Sequence, residues 1–266
     1  MNHLSRELAP ISTDAWAEIE SEAKARLTTY LAGRKVVDFE GPHGWTHSST
    51  DLGRTVHLSG PTDHVKARQR RTLQVVELRA DFSLSRDELD DVARGADSID
   101  LDPLDQAAER IAIAENVAIF HGYEAGGIVG ITQATPHDPI RLSADPDQWP
   151  VSVAVAVNSL LSAGIGGPYA LAIGPTGWTD IVESPGHGGR SLIEHLRNIL
   201  GGPVIWAPGV EGAVVLSQRG GDFVIDCGQD HSIGYAMHDA ESVQLYFQES
   251  FTFRAVEPAA AIALTG

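Results

Sequence analysis

The segment from Gly220 to Phe253 constrains the fold of this 266-residue chain more than any other. It begins Gly-Gly-Asp-Phe-Val-Ile-Asp-Cys-Gly-Gln-Asp-His-Ser-Ile-Gly-Tyr and ends Gln-Glu-Ser-Phe-Thr-Phe. Its glycines separate short apolar runs, a pattern typical of β-strands joined by tight turns. In the last run, alternate side chains are apolar and are predicted to share one face of a half-buried strand: Val243, Leu245, Phe247, Phe251 and Phe253.

The composition indicates a globular chain with an acidic surface. Hydrophobic residues make up 42% of the sequence, enough for a sizeable core in one large domain or two small ones. The 36 acidic and 19 basic residues give a formal net charge of −17. Such a surface repels phosphate backbones, so no nucleic-acid partner is expected.

Targeting and redox signals favour the cytoplasm. No apolar run approaches the length that spans a membrane, and the N-terminus lacks the apolar stretch of a signal peptide, so no membrane partner is expected. The single cysteine, Cys227, cannot form an intrachain disulfide, which fits a reducing compartment.

An amphipathic helix is predicted near the N-terminus. Ser12 or Thr13 can cap its start with a side-chain hydroxyl, and Gly33 is predicted to end it in a left-handed conformation. Its apolar side chains recur at helical spacing: Trp16, Ile19, Ala23, Leu27, Tyr30 and Leu31. The stripe fits either a core-packing helix or a helix that accepts a docked peptide.

Two further helices have recognisable starts. Ser85 with Glu88 forms a capping-box pattern, and Gly95 is predicted to close that helix. Asp102 and Pro103 then suit the N-cap and first position of the next helix. Apolar residues fall near one stripe of it: Leu104, Ala108, Ile111 and Ala118.

The second half is predicted to alternate strands with turns. Residues 151–163 are interpreted as a helix, and a second helix is predicted near Arg190 to Leu200. The predicted strands are short apolar runs between glycines: 168–173, 204–207, 212–218, 222–227 and 243–253.

Enzymatic chemistry is weakly indicated, and no catalytic residue is predicted. Asp230, His231 and Ser232 supply the residue types of a serine hydrolase, but consecutive residues do not readily form both hydrogen bonds of a triad. The G-x-S-x-G elbow is absent from the sequence. Cys227 lies in a predicted strand beside Asp226, which indicates a small buried residue and not a reactive thiolate.

Metal and phosphate sites are not predicted either. His43 and His47 are four residues apart, but Pro42 and Gly44 make a continuous helix improbable, and no H-E-x-x-H motif is present. The glycine-rich residues 126–130 lack the Lys-Ser/Thr of a phosphate-binding loop, so they are interpreted as a backbone turn.

Several segments together resemble the encapsulins, bacterial shell proteins of the type 1, linocin-like family. Besides the 220–253 segment, the likeness lies in Leu4-Ser-Arg-Glu-Leu-Ala-Pro-Ile, Gly33-Arg-Lys-Val-Val-Asp and Gly167-Pro-Tyr-Ala-Leu. The sequence as a whole is most similar to actinobacterial members of the family. The resemblance implies an α+β fold of the tailed-phage capsid (Hong Kong 97) type.

The family's organisation implies boundaries along this chain. It consists of an N-terminal helix and arm, an extended loop that reaches a neighbouring subunit, a peripheral domain with a spine helix, an axial domain, and a return to the peripheral domain. The corresponding ranges are 1–40, 41–81, 82–134, 135–218 and 219–266.

The resemblance also implies a function. Encapsulins are not enzymes; about sixty copies close into the smallest icosahedral shell. The shell encloses a cargo enzyme, a dye-decolourising peroxidase or a ferritin-like protein, which docks through a C-terminal targeting peptide. The residues that the resemblance and side-chain type assign to cargo-peptide binding are Leu8, Ile11, Trp16, Arg34, Asp38, Ile233 and Tyr235.

A loop before a helix matches the family's pore loop at the five-fold axis. It comprises Ser184, Pro185, Gly186, His187, Gly188, Gly189 and Arg190. Protonation of a ring of His187 side chains would alter the field in such a pore. Some relatives bind a flavin against a tryptophan that precedes a Glu-Leu-Asp run; here Asp87 precedes Glu88, so no cofactor is expected.

Two other functions stay open on the sequence alone. Some linocin-family members have been described as peptidases or bacteriocins. A prophage capsid protein would share the fold and serve a different purpose.

Overall fold

The computed structural model describes residues 3–184 and 191–266. Its α-helices are α1 (Thr13–Tyr30), α2 (Arg86–Arg94), α3 (Asp102–Phe120), α4 (Ile131–Ala134), α5 (Trp149–Ser162), α6 (Pro175–Glu183) and α7 (Leu192–Leu200). Its strands are β1 (Asp38–Glu40), β2 (Ser49–Leu58), β3 (Ala67–Gln74), β4 (Val76–Ser85), β5 (Ile140–Arg141), β6 (Tyr169–Ile173), β7 (Val204–Trp206), β8 (Ala213–Ser217), β9 (Phe223–Cys227), β10 (Ser232–His238), β11 (Ser242–Ala255) and β12 (Ala261–Thr265).

The first sheet is organised around β11. β4 pairs antiparallel with one edge of β11, from Ser85 opposite Ser242 to Val76 opposite Phe251. β10 and β9 follow one another along the other edge, and β1 adds to β9 in parallel. The long strand predicted at 243–253 is therefore confirmed, and it is the central strand of this sheet.

The second sheet has the order β5-β12-β8-β6-β7. The last strand of the chain, β12, pairs with both β8 and β5. The segment 219–266 therefore contributes strands to both sheets. α5, the helix predicted at 151–163, packs against α7 and this sheet.

Two hydrophobic cores lie on the two halves of the fold. The first gathers around α1, α2, the start of α3 and the start of β11. The second gathers around the end of α3, α5 and the second sheet, and it includes Phe251 and Phe253 of β11. Because α3 and β11 each run from one core to the other, they join the two halves.

Buried polar residues occupy the middle of both connecting elements. On α3, Glu115 and Asn116 are fully buried between Ile111 in the first core and Ala118 in the second. On β11, Glu249 is fully buried between Phe247 and Phe251. The alternation that places Val243, Leu245 and Phe247 on one face also places Glu249 on that face.

Two of the predicted helix signals are confirmed, those at Ser12 and Gly95. The Ser12 hydroxyl accepts a hydrogen bond from the Ala15 amide at 3.2 Å. Gly95 (φ 96°) and Gly201 (φ 68°) end α2 and α7 in the left-handed conformation. These positions favour glycine because it has no Cβ to clash there.

Gly33 does not end α1, and that prediction is wrong. The helix ends at Tyr30 with Leu31 as its C-cap, and Gly33 begins a short 3-10 turn. A Cβ at Gly33 would lie 2.4 Å from Cδ1 of Ile119, so the glycine lets this turn approach α3 without displacing that side chain.

Two other cap predictions are wrong in detail. Ser85 precedes α2 but its hydroxyl makes no capping bond, and Glu88 accepts a hydrogen bond from the Asp100 amide at 2.9 Å instead. Asp102 is the first residue of α3 and not its N-cap, which is Leu101. The helix α6 was not predicted, because Pro175 and Gly177 suggest a turn.

β2 and β3 form a hairpin that is separate from both larger sheets. Most of its side chains are exposed, including Val56 and Leu58 at 47% and 50%. A two-stranded hairpin alone is marginally stable in water, so this segment needs a further contact surface.

Among the described residues, none of the helices has both the length and the apolar character that crossing a bilayer requires.

The buried side chain of Asn116 is expected to contribute strongly to stability. Its Oδ1 accepts from the Ala32 and Gly33 amides at 2.9 and 3.0 Å, and its Nδ2 donates to the carbonyls of Tyr30 and Pro208 at 2.8 and 2.9 Å. Asn116→Ala leaves these four backbone groups without their partner, which should cost at least about 3 kcal/mol. The midpoint of urea unfolding, followed by tryptophan fluorescence, measures the loss.

The matched control is Asn158→Ala, which removes an exposed asparagine from α5. This control should leave the midpoint nearly unchanged. Equal midpoints for the two variants would contradict the role assigned to Asn116.

Candidate functional site

A groove runs beside the first helix, between α1 and the start of β10, and we name it the α1 groove. It has a volume of about 390 Å³. The residues that line it are Leu4, Arg6, Glu20, Ala23, Lys24, Leu27, Thr28, Leu31, Arg34, Asp230, His231, Ser232, Ile233 and Phe247.

The sequence explains why this groove has apolar walls and a charged rim. The apolar stripe of α1 turns Ala23 and Leu27 toward the first core, and Ile233 approaches from β10. At the rim, Arg6 pairs with Glu20 at 2.5 Å. An apolar cleft with a few charged groups is the usual form of a site for a peptide or small ligand.

The N-terminal segment forms one end of the α1 groove. The Tyr235 amide donates to the Leu4 carbonyl at 2.9 Å, which fixes this segment beside β10. The Arg6 guanidinium lies 4.0 Å from the centroid of the Trp16 ring, a cation–π contact that positions both side chains near the rim.

The structure brings together only some of the residues predicted to bind cargo. Arg34 and Ile233 line the α1 groove. Ile11, Trp16 and Tyr235 are partly buried against the first core beside it. Leu8 is 51% exposed and does not line the groove.

Asp38 lies apart from the α1 groove. It belongs to β1, its carboxylate accepts a hydrogen bond from the Gly221 amide, and it lines a separate depression of about 190 Å³ together with Lys35 and Gln218. A peptide that contacts both Asp38 and Ile233 would have to extend beyond the α1 groove.

A cluster of charged side chains reaches from the α1 groove, where Arg34, Asp230 and His231 line it, into the interior, and we name this cluster the ionic junction. It consists of Arg34, Glu115, Asp230, His231 and Glu249. The Arg34 guanidinium donates to Glu115 at 2.6 Å, to Asp230 at 2.6 Å and to Glu249 at 3.2 Å. Three carboxyl groups and the Phe39 ring, whose centroid lies 4.8 Å away, therefore surround this guanidinium.

Neighbouring charges give the two fully buried central carboxyl groups different pKa values. Burial opposes ionisation of Glu115, but His231 and Arg34 overcome it and lower the pKa of Glu115 to about 2. Burial and the negative charge of Glu115 raise the pKa of Glu249 well above its usual value. The pKa values of these two adjacent buried carboxyl groups are thus shifted in opposite directions, so Glu115 favours the ionised form and Glu249 the protonated form.

The Asp230, His231 and Ser232 side chains do not form a triad. The Ser232 hydroxyl donates to the Asp230 carbonyl at 2.8 Å, and the His231 ring faces Glu115 and Glu249. Cys227 is buried as expected, and burial followed by the charge of Asp230 raises the pKa of its thiol to about 12.

Other predicted positions have the following surroundings. The Ser184 hydroxyl donates to Asp147 at 2.6 Å, whereas Pro185, Gly186, His187, Gly188, Gly189 and Arg190 lie outside the described residues. The rings of His43 and His47 lie 4.7 Å apart, closer than the sequence spacing indicated. Residues 126–130 form a turn in which Tyr123 and Ile128 make a single bridge, as expected.

Sequence reasoning missed most of the ionic junction. Glu115 and Arg34 are 81 positions apart, and Glu249 and Arg34 are 215 apart. The burial of Glu249 could have been predicted from its position in the strand. It continues the alternation of Val243, Leu245 and Phe247 and so lies on the same buried face of β11. Leu31 and Phe247 were predicted as core residues, and they also line the α1 groove.

Comparison with known proteins agrees with this architecture. The family model described as "Encapsulating protein for peroxidase" matches residues 1–252. A type 1 encapsulin shell protein from Rhodospirillum rubrum is 50% identical over 100% of this chain and 97% of its own length. One from the actinobacterium Rhodococcus erythropolis is 46% identical over 95% of this chain and 96% of its own length.

Among solved structures, the virus-like particle from Pyrococcus furiosus matches with a TM-score of 0.67. It is 16% identical and covers 94% of this chain and 99% of its own. At that identity the likeness concerns the fold, and it confirms the expected α+β fold of the capsid type. With the matching family model and the near-complete coverage of both shell proteins, it follows that this chain belongs to the encapsulin family.

Proposed function

We propose that this chain assembles into a closed icosahedral shell of about sixty copies. The shell encloses a cargo enzyme whose C-terminal peptide docks in the α1 groove. The observation that carries the docking proposal is the groove itself: an apolar cleft with a charged rim, built on the helix that follows the N-terminal segment.

The β2–β3 hairpin supports assembly because it exposes both apolar and basic side chains. Cross-strand partners share a face, so Val56 and Leu58 lie with Gln69 and Ala67, and the Arg54–Arg71 pair lies on the same face. His57 and Thr55 lie on the opposite face with Arg68 and Arg70. In a chain of net charge −17, a basic face suits an acidic surface on a neighbouring copy.

The groove chemistry supports a peptide with apolar anchors. Leu27, Leu31 and Ile233 offer apolar contact, while Lys24 and Glu20 at the rim can bond the peptide backbone or its polar groups. Apolar anchors placed in such pockets supply most of the binding energy of a short peptide. A dye-decolourising peroxidase or a ferritin-like protein is the expected cargo, and the assembled shell is expected in the cytoplasm.

Assembly is expected to depend on the face of the hairpin that carries Val56 and Leu58. The double variant Val56→Glu with Leu58→Glu places two charges on that face, and burying them in a contact would cost several kcal/mol. Sedimentation velocity should then show small oligomers in place of a megadalton particle. Deletion of residues 57–71 should act in the same direction.

The matched control keeps the same positions apolar through Val56→Ile with Leu58→Ile, and it should sediment like the wild type. A Val56→Glu, Leu58→Glu protein that still forms full-size particles would exclude the hairpin as a shell contact.

Cargo loading is expected to depend on the α1 groove. Ile233→Asp places a carboxylate on an apolar wall, and Leu27→Ser removes apolar contact at a less buried position. Each should lower co-purification of a fluorescent protein that carries an encapsulin cargo's C-terminal peptide by at least tenfold, equivalent to about 1.4 kcal/mol. The fluorescence-to-shell ratio of purified particles measures this loss.

Met237→Asp makes the same change at an exposed position of the same strand and should load normally. Normal loading in both groove variants, with intact particles, would place the docking site elsewhere. Asp38→Ala extends the test: reduced loading there would show that the bound peptide also reaches the depression that Asp38 lines.

The pore loop proposed at residues 184–190 can be tested independently of its geometry. His187→Ala should leave particles intact and change the turnover rate of an encapsulated enzyme. The difference should shrink at high pH, where the wild-type imidazole is neutral. Identical turnover from about pH 5 to pH 8 would mean that this histidine does not affect solute entry.

A further inference from the structure

The ionic junction contains buried polar atoms that the described residues leave without a partner. Both ring nitrogens of His231 and Oε1 of Glu249 are buried and make no hydrogen bond within ranges 3–184 and 191–266. The His231 side chain is only 5% exposed, and that of Glu249 is fully buried. Because nearly all buried polar groups in proteins are satisfied, these atoms indicate a missing partner.

The charges of the ionic junction are also out of balance. The carboxylates of Glu115, Glu249 and Asp230 all contact the single guanidinium of Arg34. With all three ionised and His231 neutral, three negative charges and one positive charge leave an excess of two negative charges. Asp230 is 45% exposed, but Glu115 and Glu249 are fully buried, so keeping both of them ionised beside a single arginine is costly and calls for a proton or a cation.

The spacing between His231 and the two glutamates suits a shared metal ion. His231 Nε2 lies 3.5 Å from Oε2 of Glu115 and 3.3 Å from Oε2 of Glu249. One ligand atom from each residue can be chosen so that all three lie within 4.8 Å of one another. Ligands at about 2.0–2.1 Å from a tetrahedral ion are separated by about 3.3 Å.

We propose that Glu115, His231 and Glu249 bind a divalent transition-metal ion, with Zn²⁺ as the representative of its class. One imidazole and two carboxylates form the mixed nitrogen and oxygen set that zinc and ferrous iron accept, whereas calcium and magnesium prefer oxygen alone. The charge of a divalent ion would also bring the sum over the ionic junction to zero.

Arg34 is compatible with the bound ion. Oε2 of Glu115 accepts from both Nη2 and Nε of Arg34, at 2.6 and 2.8 Å, which uses both of its lone pairs. Oε1 accepts only from Nε, at 3.1 Å, so it keeps a lone pair for a metal while the guanidinium holds the carboxylate in place. Hydrogen bonds of this kind fix a ligand's direction and commonly accompany metal sites.

The α1 groove provides a route for the ion. His231, Arg34 and Asp230 line the groove, and the Asp230 side chain is 45% exposed. The metal proposal does not depend on cargo docking, because the three ligands belong to α3, the turn before β10, and β11. An ion there would tie these elements together at the boundary between the two cores.

Metal binding to assembled wild-type particles tests the proposal. After EDTA treatment and removal of the chelator, particles are incubated with Zn²⁺ and washed, and bound metal is measured by mass spectrometry. We expect about one ion per chain, and at least tenfold weaker binding in His231→Leu and Glu249→Gln. The control is the double variant His43→Leu with His47→Leu, which removes a pair of adjacent histidine rings outside the proposed site. This variant should still bind the ion.

Cobalt provides a readout that does not need the ligand variants to assemble. Co²⁺ added to EDTA-treated wild-type particles should produce visible absorption bands of a low-coordinate nitrogen and oxygen site, and Zn²⁺ should abolish them. Three outcomes would overturn the proposal: no binding by the wild type, unchanged binding by His231→Leu, or loss of the ion only when His43 and His47 are replaced. Each of them would leave protons as the compensating charge.

Discussion

Two buried carboxyl groups, those of Glu115 and Glu249, contact one guanidinium in the middle of the fold. The rest of the structure depends on this contact because it lies where both connecting elements, α3 and β11, pass from one hydrophobic core to the other. Removing one member of a buried ion pair commonly costs about 3–5 kcal/mol, because the remaining charge is left unpaired. Asn116, adjacent to Glu115 on α3, fixes the chain that follows α1 with four hydrogen bonds. The end of the first helix is therefore held by these buried polar contacts as well as by apolar packing.

These buried polar contacts also affect the shape of the α1 groove. Arg34 directly follows Gly33, where the chain after α1 packs close against Ile119. From the turn before β10, Asp230 pairs with Arg34 and His231 faces Glu115 and Glu249, so residues that line the groove contact the buried residues at the core boundary. The groove residues Arg34, Asp230 and His231 thus contact buried charges, which couples the groove to the interior of the fold.

The sequence predicted what depends on local patterns. Alternation along 243–253 identified the central strand, the apolar stripe identified α1, and resemblance identified the family and the capsid type of fold. The sequence could not predict what depends on distant pairing: Arg34 meets Glu249 across 215 positions, and no motif relates the two. The Gly33 prediction was wrong because a glycine after a helix usually signals a left-handed cap, whereas here it permits close packing against α3. Asp38 shares the Gly-Arg-Lys-Val-Val-Asp stretch with Arg34, yet the strand that begins there carries it to a separate depression.

The central claim is that the α1 groove faces the interior of a closed shell and holds the cargo peptide. Cryo-electron microscopy of particles produced together with a peptide-tagged cargo tests it most directly. The account predicts an icosahedral particle with α1 on its inner surface and additional density along Leu27 and Ile233. An α1 groove on the outer surface, or one covered by a neighbouring subunit, would contradict it.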